Sequence, residues 1–178
     1  MLDTLITNKT RIKLLLRFFL NSDSRSYLRN LENEFEESTN AIRIELNRFE
    51  DAGLLTTSLK GNRKIFQANQ KHPLYNELHN ILLKYVGIDQ VIDKILQRLG
   101  NVKKAYVTGD IASGKDIRII DLVLIGDDIN QNYLNKLIDK VEKLIHRKIR
   151  CFILKNNEEK SYMKHYPGAL IIWTSNSK

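Results

Sequence analysis

An α+β fold is predicted, built from two successive regions of different character. Three observations predict it. Apolar residues recur at helical spacing from Ile12 to Phe49, the period then shortens to that of a hairpin, and beyond Gly87 strand-like apolar runs alternate with helical ones. The chain has 178 residues, room for one medium domain or two small ones, and its 42% hydrophobic content suits a packed core. A boundary is expected near Gly87, which divides the chain into residues 1-86 and 87-178.

In the first region, Ile12, Leu15, Leu16, Phe19 and Leu20 form one face of a helix spanning residues 7–20. Turn residues Asn21 to Ser24 end it. Ser24 or Ser26 is expected to cap a second helix that turns Tyr27, Leu28, Leu31 and Phe35 inward. A third helix begins at Ser38 or Thr39, buries Ile42, Leu46 and Phe49, and stops at Gly53, where a left-handed residue costs little. Residues 54–59 and 64–68 then read as two strands joined at Lys60-Gly-Asn-Arg63, with Gly61 and Asn62 tolerating positive φ. Three helices followed by a hairpin is the plan of a winged helix-turn-helix. His72-Pro73 breaks the chain before a helix over residues 74–85.

A helix-turn-helix sets its last helix in the major groove, where that helix's N-terminal residues meet base edges. The corresponding residues here are Ser38, Thr39, Asn40, Arg43 and, one turn on, Asn47. Asparagine and arginine are suited to bidentate contacts with adenine and guanine. Arg63 and Lys64 at the hairpin are placed to reach phosphate or the minor groove. The formal net charge of +8 suits a polyanionic partner, with duplex DNA first.

Residues 45–55, 61–69 and 72–78 together resemble the ArsR-type winged helix regulators, in particular the branch fused to a nucleotidyltransferase-like domain. The resemblance covers about residues 10–87 and implies a homodimer on double-stranded DNA. Many such regulators sense metals through Cys or His. This half has no cysteine, and its two histidines, His72 and His79, do not form a helical i, i+4 pair, so no metal site is expected.

The second region reads helix (88–99), strand (104–108), glycine-containing turn, strand (119–125), helix (131–145), strand (149–154) and short residual elements that include residues 169–173. From Tyr106 through Gly109, Asp110, Gly114, Lys115 and Asp121 to Gly126, this segment resembles the core of the minimal nucleotidyltransferases. The resemblance covers about residues 88–155. In that family a Gly-Ser turn holds a nucleoside triphosphate, and two aspartates two residues apart hold divalent metals.

Residues two apart share one face of a strand, so a metal-binding pair requires that spacing. Here Asp121 stands alone: position 119 is isoleucine and position 123 valine. The later strand that would supply a third carboxylate offers Arg150. Asp127 and Asp128 are about 20 Å from Asp121 along an extended strand and read as a turn, which leaves Asp116 as the one candidate replacement. Asp110 stands at the serine position, and an ionised carboxylate accepts hydrogen bonds but repels a triphosphate; Lys115 is placed to offset this. The glycines preserve the turn while the chemistry is reduced to a possible residual nucleotide site at Gly109, Asp110, Gly114, Lys115 and Asp121.

The lone cysteine, Cys151, excludes an intrachain disulfide and reads as a small buried hydrophobe in a strand. Tyr162, Tyr166 and Trp173 read as core packing. No apolar stretch suits a signal peptide or a membrane span, so a cytoplasmic location away from membranes is expected.

The expected function is that of a DNA-binding transcriptional regulator. Its second domain is an inactive nucleotidyltransferase-like module, without cofactor or metal, used for dimerisation, for sensing a small-molecule or protein effector, or for docking. The alternatives are a magnesium-dependent nucleotidyltransferase built on Asp121, and an antitoxin-like protein-binding module.

Overall fold

In the computed structural model, residues 2–115 and 117–175 are described. The chain divides into two compact units, the first ending at Tyr85 and the second beginning at Val86. Each unit contains one sheet with helices, which makes the whole chain α+β.

The first unit opens with α1 (Leu2–Leu5) and α2 (Lys9–Leu15). The expected start at Thr7 is corrected to Lys9, because the Asn8 side chain accepts from the Arg11 amide and caps the helix there. Beyond α2 the helix widens into a π turn, Leu16–Leu20. Leu14, Leu15, Leu16, Phe18, Phe19 and Leu20 are all buried, more of this run than one α-helical stripe would turn inward. Arg17, the one charge inside the run, is paired with Glu34 at 3.0 Å. His79 Nδ1 lies 2.7 Å from the Phe19 carbonyl, so the ring is engaged structurally.

A short strand that the sequence pattern does not reveal, β1 (Arg25–Tyr27), precedes α3 (Leu28–Phe35). Neither Ser24 nor Ser26 caps that helix. Ser26 lies within the strand, Ser24 Oγ accepts from Arg17, and the N-cap position is Tyr27. Next come α4 (Thr39–Asp51), β2 (Leu55–Lys60), β3 (Arg63–Ala68) and α5 (Tyr75–Val86). Ser38 caps α4 by accepting from the Ala41 amide at 3.2 Å, and Gly53, at φ +70°, reverses the chain after it.

The hairpin pairs Lys60 with Arg63. Of the two turn residues only Gly61 has positive φ, as in a type II′ turn; Asn62 does not use the freedom expected of it. β1 pairs antiparallel with β3, giving the order β1-β3-β2. On α4, Ile42, Leu46 and Phe49 are buried as expected, and Glu45 is buried beside them at 2% exposure. It survives there because Arg11 at 2.7 Å, Arg48 at 2.5 Å and Asn8 at 3.2 Å all donate to it.

The second unit starts with one nearly continuous helix made of α6 (Ile88–Val91), a π turn (Ile92–Leu96) and α7 (Gln97–Leu99). β4 (Val102–Thr108), α8 (Gly109–Ala112), β5 (Ile119–Gly126), α9 (Gln131–Ile145), β6 (Lys148–Leu154), α10 (Asn156–Met163) and β7 (Leu170–Thr174) follow. The sheet order is β6-β5-β4-β7, with β5 and β6 parallel and the other pairs antiparallel. β5 contributes Ile120, Leu122, Val123, Leu124 and Ile125 to the core, all fully buried.

Two elements here differ from the sequence pattern. The glycine turn opens with one helical turn, α8. An additional helix, α10, lays Tyr162 and Met163 against Tyr106, Val123 and Ile125. Among the described residues no helix is long and apolar enough to cross a membrane.

Candidate functional site

In the first unit, Thr39, Arg43 and Asn47 lie four residues apart along α4 and therefore share one side of the helix. With Arg63, Lys64 and Phe66 of β3, they line a groove of about 560 Å³. The opposite wall is formed by Tyr27, Leu28, Arg29 and Asn30, where β1 runs into α3. Five of the seven DNA-contact candidates are thus gathered in one place. Ser38 and Asn40 are exposed at the start of α4 but do not line the groove, and Ser38 Oγ serves the helix cap.

The charges in this groove are unequal in their commitments. Lys64 Nζ is 2.6 Å from Glu50 and 5.3 Å from the Phe66 ring centroid, so much of its charge is satisfied internally. That hydrogen bond, ahead of any other cause that lowers it, holds the Glu50 carboxyl below its usual range. Arg63 lies over the Tyr27 ring at 5.9 Å and, among the described residues, has no carboxylate partner. Arg29 and Arg43 are exposed and, among the described residues, also lack one. Glu32 is the single acid among the described residues lining the groove. Tyr27, Arg29 and Asn30 were not legible as site residues: a three-residue strand has no periodicity of its own, and only its pairing with Ile65–Gln67 brings them here.

In the second unit, Asp121 lies on β5 directly across from Arg150 on the parallel neighbour β6. The guanidinium grips it with two hydrogen bonds, Nε to Oδ1 at 2.6 Å and Nη2 to Oδ2 at 2.9 Å. On the other side, Thr108 pairs with Asp121, and Gly109 follows at φ +67°. A Cβ at position 109 would stand 2.6 Å from Asp121 Oδ2, so glycine is needed both for its backbone conformation and for space. The candidate residues Gly109 and Asp121 are therefore in contact.

Asp110 is paired with Lys115 at 3.1 Å across the same turn, and Gly114, at φ +86°, closes it. Asp127 is held by Lys103 at 3.1 Å and by Asn156 at 2.9 Å, away from this turn, while Asp116 lies outside the described residues. Among the described residues, no three His, Cys, Asp or Glu side chains are gathered so as to hold a metal ion.

The face of β5 that carries Asp121 continues through Val123 and Ile125, where α10 covers it. Tyr162 stacks on Tyr166 with centroids 5.2 Å apart, and burial first, then Tyr166, pushes its hydroxyl up to about 12. Tyr106 is likewise pushed up to about 12, mainly by burial, and donates to Glu159, which Lys104 holds at 2.8 Å. Burial also raises the Cys151 thiol to about 12, which keeps it protonated and unreactive at neutral pH.

No protein-family model matches the chain. No curated protein matches it. Among solved structures, one from Sulfolobus solfataricus, described as a "putative nucleotidyltransferase", covers 55% of this chain and 87% of its own. Its identity to this chain is 12% and the TM-score 0.38, a likeness that carries no argument about chemistry.

Proposed function

We propose that the chain is a DNA-binding transcriptional regulator of the winged helix-turn-helix type. The reading is supported above all by the convergence of Arg29, Arg43 and Arg63, three guanidiniums without a carboxylate partner among the described residues, beside the exposed side of α4. Grouped like charges repel one another, and a polyanion relieves that repulsion. The element order gives further support: helix, short strand, two helices, then a hairpin that the short strand extends into a three-stranded sheet. Total charge is not what selects this unit, since residues 1–85 carry 13 Lys and Arg against 10 Asp and Glu. Placement of the uncommitted cations is what matters.

In this reading α4 enters the major groove with Asn40, Arg43 and Asn47 toward the bases, and Arg63 reaches the backbone. The protein binds as a homodimer. The second unit is a nucleotidyltransferase-like module that does not catalyse transfer, because both oxygens of Asp121 are engaged by Arg150 and Asp110 is paired with Lys115. It supplies dimer contacts, effector sensing or a docking surface.

The test is fluorescence anisotropy with labelled duplex DNA over a range of salt. Binding that weakens steeply with salt, at roughly 0.9 log units per phosphate contact, is expected. Unchanged binding after Arg43→Glu and Arg63→Glu would overturn the reading. Calorimetric titration with ATP and magnesium, with Asp121→Asn as control, tests the second unit. No heat of binding is expected; binding present in the parent and lost in the variant would show a retained nucleotide site instead.

A further inference from the structure

The groove beside α4 is not built only for a phosphate backbone. Its lining includes apolar surface, Tyr27 and Leu28 on one wall and the buried Phe66 on the other, and a sugar-phosphate chain leaves such a surface unsatisfied. Its volume of about 560 Å³ lies within the range, about 300–1,000 Å³, of small-molecule sites. Polar groups converge on it in the small number that such sites use to orient a ligand, with Asn30, Thr39 and Asn47 alongside the arginines.

The charges narrow the ligand class. Arg63 already lies over the Tyr27 ring at 5.9 Å and Lys64 over the Phe66 ring at 5.3 Å, so both aromatic rings of the lining carry a cation. Guanidinium planes stack on aromatic faces and grip carboxylates bidentately. A neutral apolar ligand would leave Arg29, Arg43 and Arg63 unmatched, and a simple inorganic anion would leave the apolar lining wet.

We infer that this groove takes a small planar aromatic anion, its ring against Tyr27 and Leu28 and its acid group among Arg29, Arg43 and Arg63. Because Arg43, Asn47 and Arg63 are also the proposed DNA contacts, ligand and DNA exclude one another at this surface. The exclusion rests on the DNA-binding reading; the ligand site does not.

The experiment is isothermal titration of the full chain with 2-naphthoate, compared with 2-naphthylmethanol, which lacks the charge, and acetate, which lacks the ring. One naphthoate per chain is expected, at an affinity at least about tenfold above either comparator. Arg43→Ala and Arg63→Ala are each expected to weaken it about tenfold, and Tyr27→Leu to weaken it while leaving thermal unfolding near that of the parent. Absence of saturable naphthoate binding, equal binding of the comparators, or indifference to the arginine substitutions would overturn the site. A second arm titrates naphthoate into a complex with labelled duplex DNA, where displacement is expected and co-occupancy would overturn the exclusion. If no duplex binds at all, the DNA-binding reading fails, while the naphthoate titration still decides the ligand site.

Discussion

The two candidate sites of this molecule, the groove of the first unit and the glycine turn of the second, handle charge in opposite ways. In the turn of the second unit, Asp121 is matched to Arg150 and Asp110 to Lys115 within the chain. In the groove of the first unit, Arg29, Arg43 and Arg63 have no carboxylate partner among the described residues, although Glu50 nearby is given to Lys64. A charge satisfied from within has little free energy left to offer a ligand, whereas an unmatched cluster gains by recruiting one. The difference directs attention to the first unit, even though the second carries the more recognisable motif.

The comparison is tested most strongly by reversing the unmatched charges. Arg43→Glu combined with Arg63→Glu is expected to lower affinity for duplex DNA at least about a hundredfold, measured by anisotropy at fixed salt. The matched charges should behave differently: Asp121→Asn is expected to leave DNA affinity within about twofold.

A smaller effect, on stability, is expected at the buried carboxylate that positions α4. Glu45→Gln is expected to cost about 1–3 kcal/mol by urea denaturation, less than for a fully buried pair because Arg11 and Arg48 regain water. The hydrogen bond from Arg11 is the first cause holding the Glu45 carboxyl below its usual range. Its contribution is therefore fully present above the unfolded carboxyl value, about 4.3, and is lost as pH falls through the lower folded value. Below about pH 4 the parent protein should lose stability faster than Glu45→Gln, and parallel curves would refute the assignment.

Gly109→Ala sharpens the other side of the comparison. The positive φ and the contact with Asp121 Oδ2 together should destabilise the protein by about 1–3 kcal/mol. Adding Asp121→Ala should recover part of that loss, a non-additivity that a double-mutant cycle reads directly. The smallest effect is expected at Lys64. Lys64→Ala should lower DNA affinity less than about threefold, because Glu50 already holds that charge; a loss as large as that for Arg63→Ala would show that the ion pair opens on binding.

Much of the fold was legible because its cues are local. Ser38 and Gly53 bracket α4, Gly61 marks the hairpin, and α9 spans Gln131–Ile145 as its periodicity requires. The apolar run 119–125 likewise reads as a strand, and it forms as β5. Other features lay outside any local window. β1 is three residues long and exists through its pairing with β3, some forty residues away in the chain. The π turns, at Leu16–Leu20 and Ile92–Leu96, are likewise not marked in the sequence pattern.

For the candidate sites the division is similar. By itself the sequence determined which residue types were present: a solitary aspartate after a glycine turn, and asparagine and arginine spaced along one helix. Only the tertiary structure decided their commitments. Asp121 and Arg150 are 29 residues apart and meet because β5 and β6 are in parallel register, while Lys64 is drawn to Glu50 and Arg63 is not. Helix and turn signals arise from the backbone and side chains of neighbouring residues, so they survive in one dimension. Whether a charge is matched depends on register between distant strands and on which groups face one another across the folded core.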